Sequence, residues 1–125
     1  MPELQLQLTD HRIVFSPGET LTGTASWRLD APPQKVQLCL AWSTRGKGTT
    51  DGEIVRTIPF TSPQVGDTRS FTLTLPLEPY TFSGTLISLL WTLELGIDPG
   101  DLCESLEITI APGGKEVLLP RIKPT

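Results

Sequence analysis

The sequence predicts an all-β protein, an antiparallel β-sandwich of seven to eight strands. Three observations carry that expectation. Apolar and polar residues alternate with a period of two in nearly every run, as strands with one buried face require. Clusters of turn residues interrupt those runs at short spacing. The 125 residues include 11 glycines and 12 prolines, a density of breakers that excludes a helical bundle or coiled coil. No run keeps a 3.6-residue period long enough for a helix. The length suits one core, so the reading is a single sandwich over residues 1–125, with its core at about 3–110 and a C-terminal tail or strand at 111–125.

Each element follows from the alternation. Leu4, Leu6 and Leu8 share one face, with Gln5 and Gln7 on the other. The run His11 to Phe15 leads into a turn at Ser16-Pro17-Gly18-Glu19, where Pro followed by Gly suits a type II turn with positive φ at the glycine. Leu21, Gly23, Ala25, Trp27 and Leu29 then point one way, against a polar wall of Thr20, Thr22, Thr24, Ser26 and Arg28. Gly23, inside a strand, is expected to admit a neighbouring aromatic ring or backbone. After Asp30-Ala31-Pro32-Pro33, the residues Val36, Leu38, Leu40 and Trp42 alternate with Gln37, Cys39, Ala41 and Ser43. Residues 44 to 52, with three glycines, read as a long hairpin loop.

Ile54, Ile58 and Phe60 suggest a short strand that Thr61-Ser62-Pro63 ends. Phe71, Leu73, Leu75 and Leu77 alternate with Ser70, Thr72, Thr74 and Pro76. The strongest strand follows Gly84 and puts Ile87, Leu89, Trp91, Leu93, Leu95 and Ile97 on one face. Asp98-Pro99-Gly100-Asp101 is a turn before Leu106, Ile108 and Ile110. Beyond Gly113-Gly114 stands the short apolar segment Val117-Leu118-Leu119. The three tryptophans lie on apolar parities and are expected in the core, each indole N–H reaching a carbonyl or water.

Charge and cysteine content narrow the function classes. A net charge of −4 argues against nucleic acid as a main partner, because phosphate binding needs clustered Lys and Arg. The start Met1-Pro2-Glu3-Leu4 lacks the basic and continuously apolar segments of a secretory signal. Ser88, Thr92 and Glu94 break the longest apolar stretch, so no transmembrane segment is expected. Only Cys39 and Cys103 are present, without CxxC spacing, and their parity puts both off the main core faces. A single long-range bridge and two reduced thiols both fit; the simpler reading is a cytoplasmic protein with reduced thiols. No cofactor motif is present.

The immunoglobulin signature, a core Trp midway between two bridging cysteines, is absent, since Trp42 lies three positions after Cys39. The architecture is immunoglobulin-like only in its sandwich. Phe15-Ser16-Pro17-Gly18-Glu19-Thr20-Leu21-Thr22-Gly23-Thr24-Ala25 resembles the early motif of arrestin-like domains, a Pro-Gly-Glu turn feeding a glycine-bearing strand. Phe71 to Pro76, the Pro79-Tyr80 corner, Gly84 and the strand Ile87 to Leu95 follow in a similar order, with Lys35 to Leu40 between the two motifs. The chain thus resembles a single N-terminal-type arrestin sandwich, akin to one half of the bacterial sporulation-control arrestin-like proteins. The resemblance implies the sandwich and a protein-interaction or scaffold role without enzymatic activity. Pro-Pro-x-Tyr is missing and the family's buried charged cluster does not map, so receptor binding and phosphate sensing are not carried over. A one-sandwich chain can recreate the missing half as a homodimer.

Candidate chemistry is sparse. His11 is the only histidine; on a strand its side chain would diverge from that of Asp10. Ser16 and Ser83 sit in turns without a base or a nucleophile elbow. Asp98, Asp101 and Glu104 gather around one turn as candidate Ca²⁺ ligands, and Asp30, Asp51 or Asp67 could add the further oxygens a hard cation needs. Asp-Pro-Gly-Asp is equally the composition of an ordinary turn. Arg45 and Lys47 could touch an anionic surface, although two charges bind weakly. These features support the alternative function, an ion- or anionic-surface-binding sandwich acting through its end loops. Val117, Leu118 and Leu119 could close their own sheet, or pair with another copy or a protein partner. Closing their own sheet costs less chain entropy.

Overall fold

The computed structural model of the chain describes residues 2–46, 51–83, 87–99, 102–112 and 117–118. Its strands are β1 (Glu3–Leu8), β2 (Val14–Phe15), β3 (Thr20–Arg28), β4 (Lys35–Gly46), β5 (Gly52–Phe60), β6 (Gly66–Thr74), β7 (Phe82–Ser83), β8 (Ile87–Asp98), β9 (Leu102–Ile110) and β10 (Val117–Leu118). Seven of these span six residues or more, and three span two. They form two sheets, the sandwich that the alternation predicted. The smaller has the order β1-β3-β6. The larger runs β10-β7-β8-β4-β5, with β9 also on β8 and β2 on β9. Long-strand pairings are antiparallel, whereas the two-residue strands β2 and β10 pair in parallel with β9 and β7.

Alternation places the core between the sheets. On β3 the buried side chains are Leu21, Ala25 and Trp27, with Leu29 just beyond; on β8 they are Leu89, Trp91, Leu93, Leu95 and Ile97. Trp27 donates its indole N–H to the Gln64 carbonyl at 2.8 Å, and Trp91 donates to Pro79 at 2.9 Å. Each ring thereby buries its area without stranding its polar atom. Trp42 is only half-buried, packed against the margin of the core.

Gly23 has a steric reason. A β-carbon there would stand 2.5 Å from the Gln7 carbonyl oxygen and 2.8 Å from the Phe71 ring. Phe71 is its register partner on β6, so the ring lies across the space a side chain would take.

Several local expectations need correction. In the His11–Phe15 run only Val14 and Phe15 are strand, and Thr9–His11 is a 3-10 turn. Asp10 and His11 take φ of 59° and 53°, a left-handed conformation that Asp and His tolerate better than most residues. The hairpin loop after residue 44 is shorter than expected, because β4 continues to Gly46 and β5 begins at Gly52. Thr44 and Asp51 clasp it: the Thr44 amide donates to the Asp51 carbonyl, and the Asp51 amide to the Thr44 hydroxyl. β5 has nine residues, and its register with β4 shifts by one beside Leu40 and Ala41. That bulge puts Ile54 opposite Ala41 on the solvent face, 60% exposed, while Val55, Ile58 and Phe60 pack on the core. Cys39 stands off the main core as expected, yet it is buried, between Thr57 and Glu94 in the neighbouring strands.

Gly23→Ala is expected to cost about 1–3 kcal/mol in a denaturant melt, because a backbone oxygen cannot move aside cheaply. Adding Phe71→Leu should restore only part of the loss, since it relieves the ring contact and leaves the Gln7 contact. A Gly23→Ala chain as stable as the parent would refute this account of the close approach.

Candidate functional site

The Pro-Gly-Glu turn is the most tightly knit surface feature. Gly18 has φ 77° and the Glu19 amide donates to the Ser16 carbonyl at 3.1 Å, the hydrogen bond of a β-turn. Glu19 folds its carboxylate back to accept the Ser16 amide at 2.9 Å. The Arg12 guanidinium grips the same carboxylate through two N–H groups, lies over the Phe15 ring at 4.6 Å, and donates through Nε to the Val14 carbonyl. Hydrogen bonding from Arg12, aided by the Ser16 amide, holds the Glu19 carboxyl below its ordinary range. Each of these N–H groups finds its acceptor within Arg12–Glu19, so the cluster fixes a corner of the fold.

His11, Cys39 and Cys103 sit on different elements. His11 is exposed in its turn, not on a strand. Among the described residues no base is hydrogen-bonded to the Ser16 hydroxyl. Both thiols are free. Cys103 donates to a Glu94 carboxylate oxygen at 3.2 Å. Partial burial of the sulfur, followed by the Glu94 hydrogen bond and negative charge, pushes this thiol up to about 11. A thiol so shifted carries little nucleophilic thiolate at neutral pH. Among the described residues no group of three His, Cys, Asp or Glu side chains is placed to hold a metal ion.

The acidic candidates are divided by the ladder. Asp98 ends β8 opposite Lys35, and its carbonyl accepts the Gln34 amide. Glu104 lies on β9 opposite Leu95, three positions back along β8 from Asp98. Asp101 falls outside the described residues, as do Lys47 and Leu119. Asp67 is committed to a local ion pair, Oδ2 to Arg69 at 2.8 Å, which holds its carboxyl below the ordinary range. In the tail, Val117 and Leu118 pair with Phe82 and Ser83, so at these positions the strand closes its own sheet.

Sequence reasoning read the polar wall of β3 but missed its extension. Thr20, Thr22, Thr24 and Ser26 stand in register with Thr74, Thr72, Ser70 and Thr68 of β6. Two hydroxyl rows therefore line the outer face of the smaller sheet, with Thr9 bonded to Thr22 at 2.7 Å and Thr20 to Thr74 at 3.3 Å. The signal was present as matching Thr/Ser alternation in two segments. Their pairing was not, because alternation gives a face but no partner. At one end of this face an open hollow of about 580 Å³ lies among Glu3, Gln5, Ser26, Arg28 and Thr68.

No protein-family model matches the chain, and no curated protein does. Solved structures do. Spo0M, the sporulation control protein from Bacillus subtilis, superposes with a TM-score of 0.61 at 18% identity, over 88% of this chain and 49% of that one. A β-glucosidase from Listeria innocua in complex with gluconolactone gives 0.50 at 16% identity, over 94% of this chain and 16% of the enzyme's. The chain thus spans about half the length of Spo0M and a small part of the glucosidase. The fold it shares with Spo0M is the arrestin-like sandwich that the motif order implied.

Two outcomes follow from the titrating groups. A carboxyl depressed on folding stabilises above its unfolded value and loses that contribution as pH falls through its folded value. Melting temperature should therefore fall from the ordinary 4.5 of Glu19 downward, with a gentler fall in Glu19→Gln; identical profiles would remove the turn from the acid response. Cys103 should alkylate at pH 8 with roughly a hundredth of the thiolate of an ordinary cysteine. Glu94→Gln should accelerate the reaction by lowering the thiol's pKa, and an unchanged rate would show that Glu94 has no influence.

Proposed function

We propose that the chain is a non-enzymatic, arrestin-like protein-interaction or scaffold module, with Val117, Leu118 and Leu119 contributing to partner binding. The observation that carries this reading is the manner in which the larger sheet ends. Val117 and Leu118 of β10 pair in parallel with Phe82 and Ser83 of β7 at the end of the larger sheet's order. A strand at the end of a sheet order leaves an edge that an extended segment of a partner can extend or replace. The raised Cys103 thiol supports binding over turnover. Two free thiols suit a reducing, cytoplasmic setting. Among the described residues no helix is long and apolar enough to cross a membrane.

The test compares affinity capture from the native host's lysate by three chains: the parent, a chain ending at Pro112, and Leu118→Asp. The expected result is one protein retained by the parent and lost from both variants, whose melting temperatures stay near the parent's. Equal retention by all three would take the tail out of the reading. A turnover activity abolished by a single substitution would end the non-enzymatic reading.

A further inference from the structure

The edge of β6 carries an inference that does not depend on the tail. Two hydrogen bonds fix the parity of this strand. The Leu75 amide donates to the Glu19 carbonyl at 2.9 Å, and the Leu29 amide donates to the Val65 carbonyl at 2.8 Å. Both belong to the same β3–β6 register, in which Leu21 faces Leu73 and Trp27 faces Asp67. Hydrogen-bonded pairs alternate along an antiparallel ladder, so the odd-numbered residues of β6 bond β3. Gly66, Thr68, Ser70, Thr72 and Thr74 therefore turn their N–H and C=O groups away from it, and the sheet order ends at β6.

The first half of that edge is closed by side chains. Asp67 Oδ1 accepts the Thr68 amide at 2.9 Å and Oδ2 accepts the Gln64 amide at 3.4 Å, while Arg69 Nη2 donates to the Ser62 carbonyl. Inward charges of this kind keep strangers off an edge. Beyond Arg69 the protection stops. Among the described residues nothing bonds the outward main chain of Ser70, Thr72 or Thr74. Elsewhere β5 carries Pro59 and a bulge, β2 pairs with the end of β9, and β10 pairs with β7.

We propose that Ser70–Thr74 pairs antiparallel with the same segment of a second copy of this chain, about a two-fold axis at Thr72. The segment is chemically its own complement. That axis sets Ser70 against Thr74 and Phe71 against Leu73, hydroxyl on hydroxyl and apolar on apolar, with Thr72 against itself. No charge falls inside the paired stretch, so an acidic or basic peptide finds no counter-ion there. Each of Ser70, Thr72 and Thr74 supplies one donor and one acceptor to a reciprocal pair, as an isologous contact requires. Pro76 limits the pairing at one end and the Asp67–Arg69 pair limits it at the other. The three-stranded sheet doubles, and its hydroxyl face runs on across the junction. Two chains of net charge −4 repel, so added salt strengthens the contact.

Sedimentation velocity of the full chain from about 10 µM to about 1 mM reads the association directly. Thr72→Pro removes an outward N–H and leaves the β3 ladder intact, and Thr72→Lys sets two ammonium groups against each other at the axis. Both should weaken dimerisation at least tenfold without lowering the monomer's melting temperature. Amide hydrogen exchange of the unaltered chain supplies a readout that needs no variant: Ser70, Thr72 and Thr74 should become protected as concentration rises. A monomer throughout the range, a dimer indifferent to both substitutions, or exchange at these amides independent of concentration would each overturn the proposal.

Discussion

The sandwich depends on how β8 is shared. Along one side this strand pairs with β4 over its whole length, from Ile87 opposite Gly46 to Asp98 opposite Lys35. On its other side no single neighbour continues. β9 follows it from Ile97 to Trp91 and then leaves to pair with β2, and β7 takes over at Leu89 and Ser88. A change of partner in mid-strand threatens to strand backbone polar groups in the driest part of the protein. Thr81 and Trp91 prevent it. Thr81, buried, donates its amide to the Ile110 carbonyl at 2.7 Å and accepts the Ile110 amide on its hydroxyl at 2.9 Å. The Trp91 indole reaches the Pro79 carbonyl from the same junction. No buried side-chain nitrogen or oxygen is left without a partner among the described residues.

That junction explains why the Pro-Gly-Glu turn and the later corner belong together. When β9 leaves β8, the Ala111 amide bonds the Phe15 carbonyl, which tethers the strand end to the residue before the turn. The turn in turn holds the corner: the Gly18 amide donates to the Pro76 carbonyl, and Leu77 lies where a side chain on Gly18 would stand, 2.9 Å from its β-carbon position. Two motifs far apart in sequence are thus two halves of one end of the sandwich. Arg12 and Glu19 lock that end from outside, and their ion pair, half exposed, contributes more to geometry than to stability.

Period-two alternation made most of the fold legible, because a strand covered on one face has no other economical pattern. The residues Leu21 to Leu29 and Leu89 to Ile97 fell on the faces their parity demanded, and Pro17-Gly18 gave the turn its positive φ. What stayed hidden was pairing. Nothing in Val14-Phe15 states that it joins β9 in parallel, and nothing in Ile54-Val55 announces a bulge that turns Ile54 outward. Cys39 was placed off the core correctly, but its burial comes from flanking strands and not from its own segment. For the candidate site the limit is similar. Asp98 and Glu104 are close in sequence and apart along the ladder, because an antiparallel hairpin brings together only residues equidistant from its turn, and Glu104 pairs with Leu95.

A two-sheet sandwich must end each sheet somewhere, and unpaired main chain at those ends is the strongest directional binding capacity it has. Here the ends are treated unequally. A proline and a bulge interrupt β5, the Asp67 carboxylate caps the Thr68 amide of β6, and among the described residues β2 and β10 pair with β9 and β7 at two positions each. The second half of β6 has none of these devices, although its neighbour Asp67 shows that this strand can carry one. Titratable side chains, by contrast, are spent locally: Glu19 on Arg12, Asp67 on Arg69, Glu94 on Cys103. A site for chemistry needs such groups to converge on a shared point, whereas Glu19 and Asp67 each serve the turn or strand that carries them.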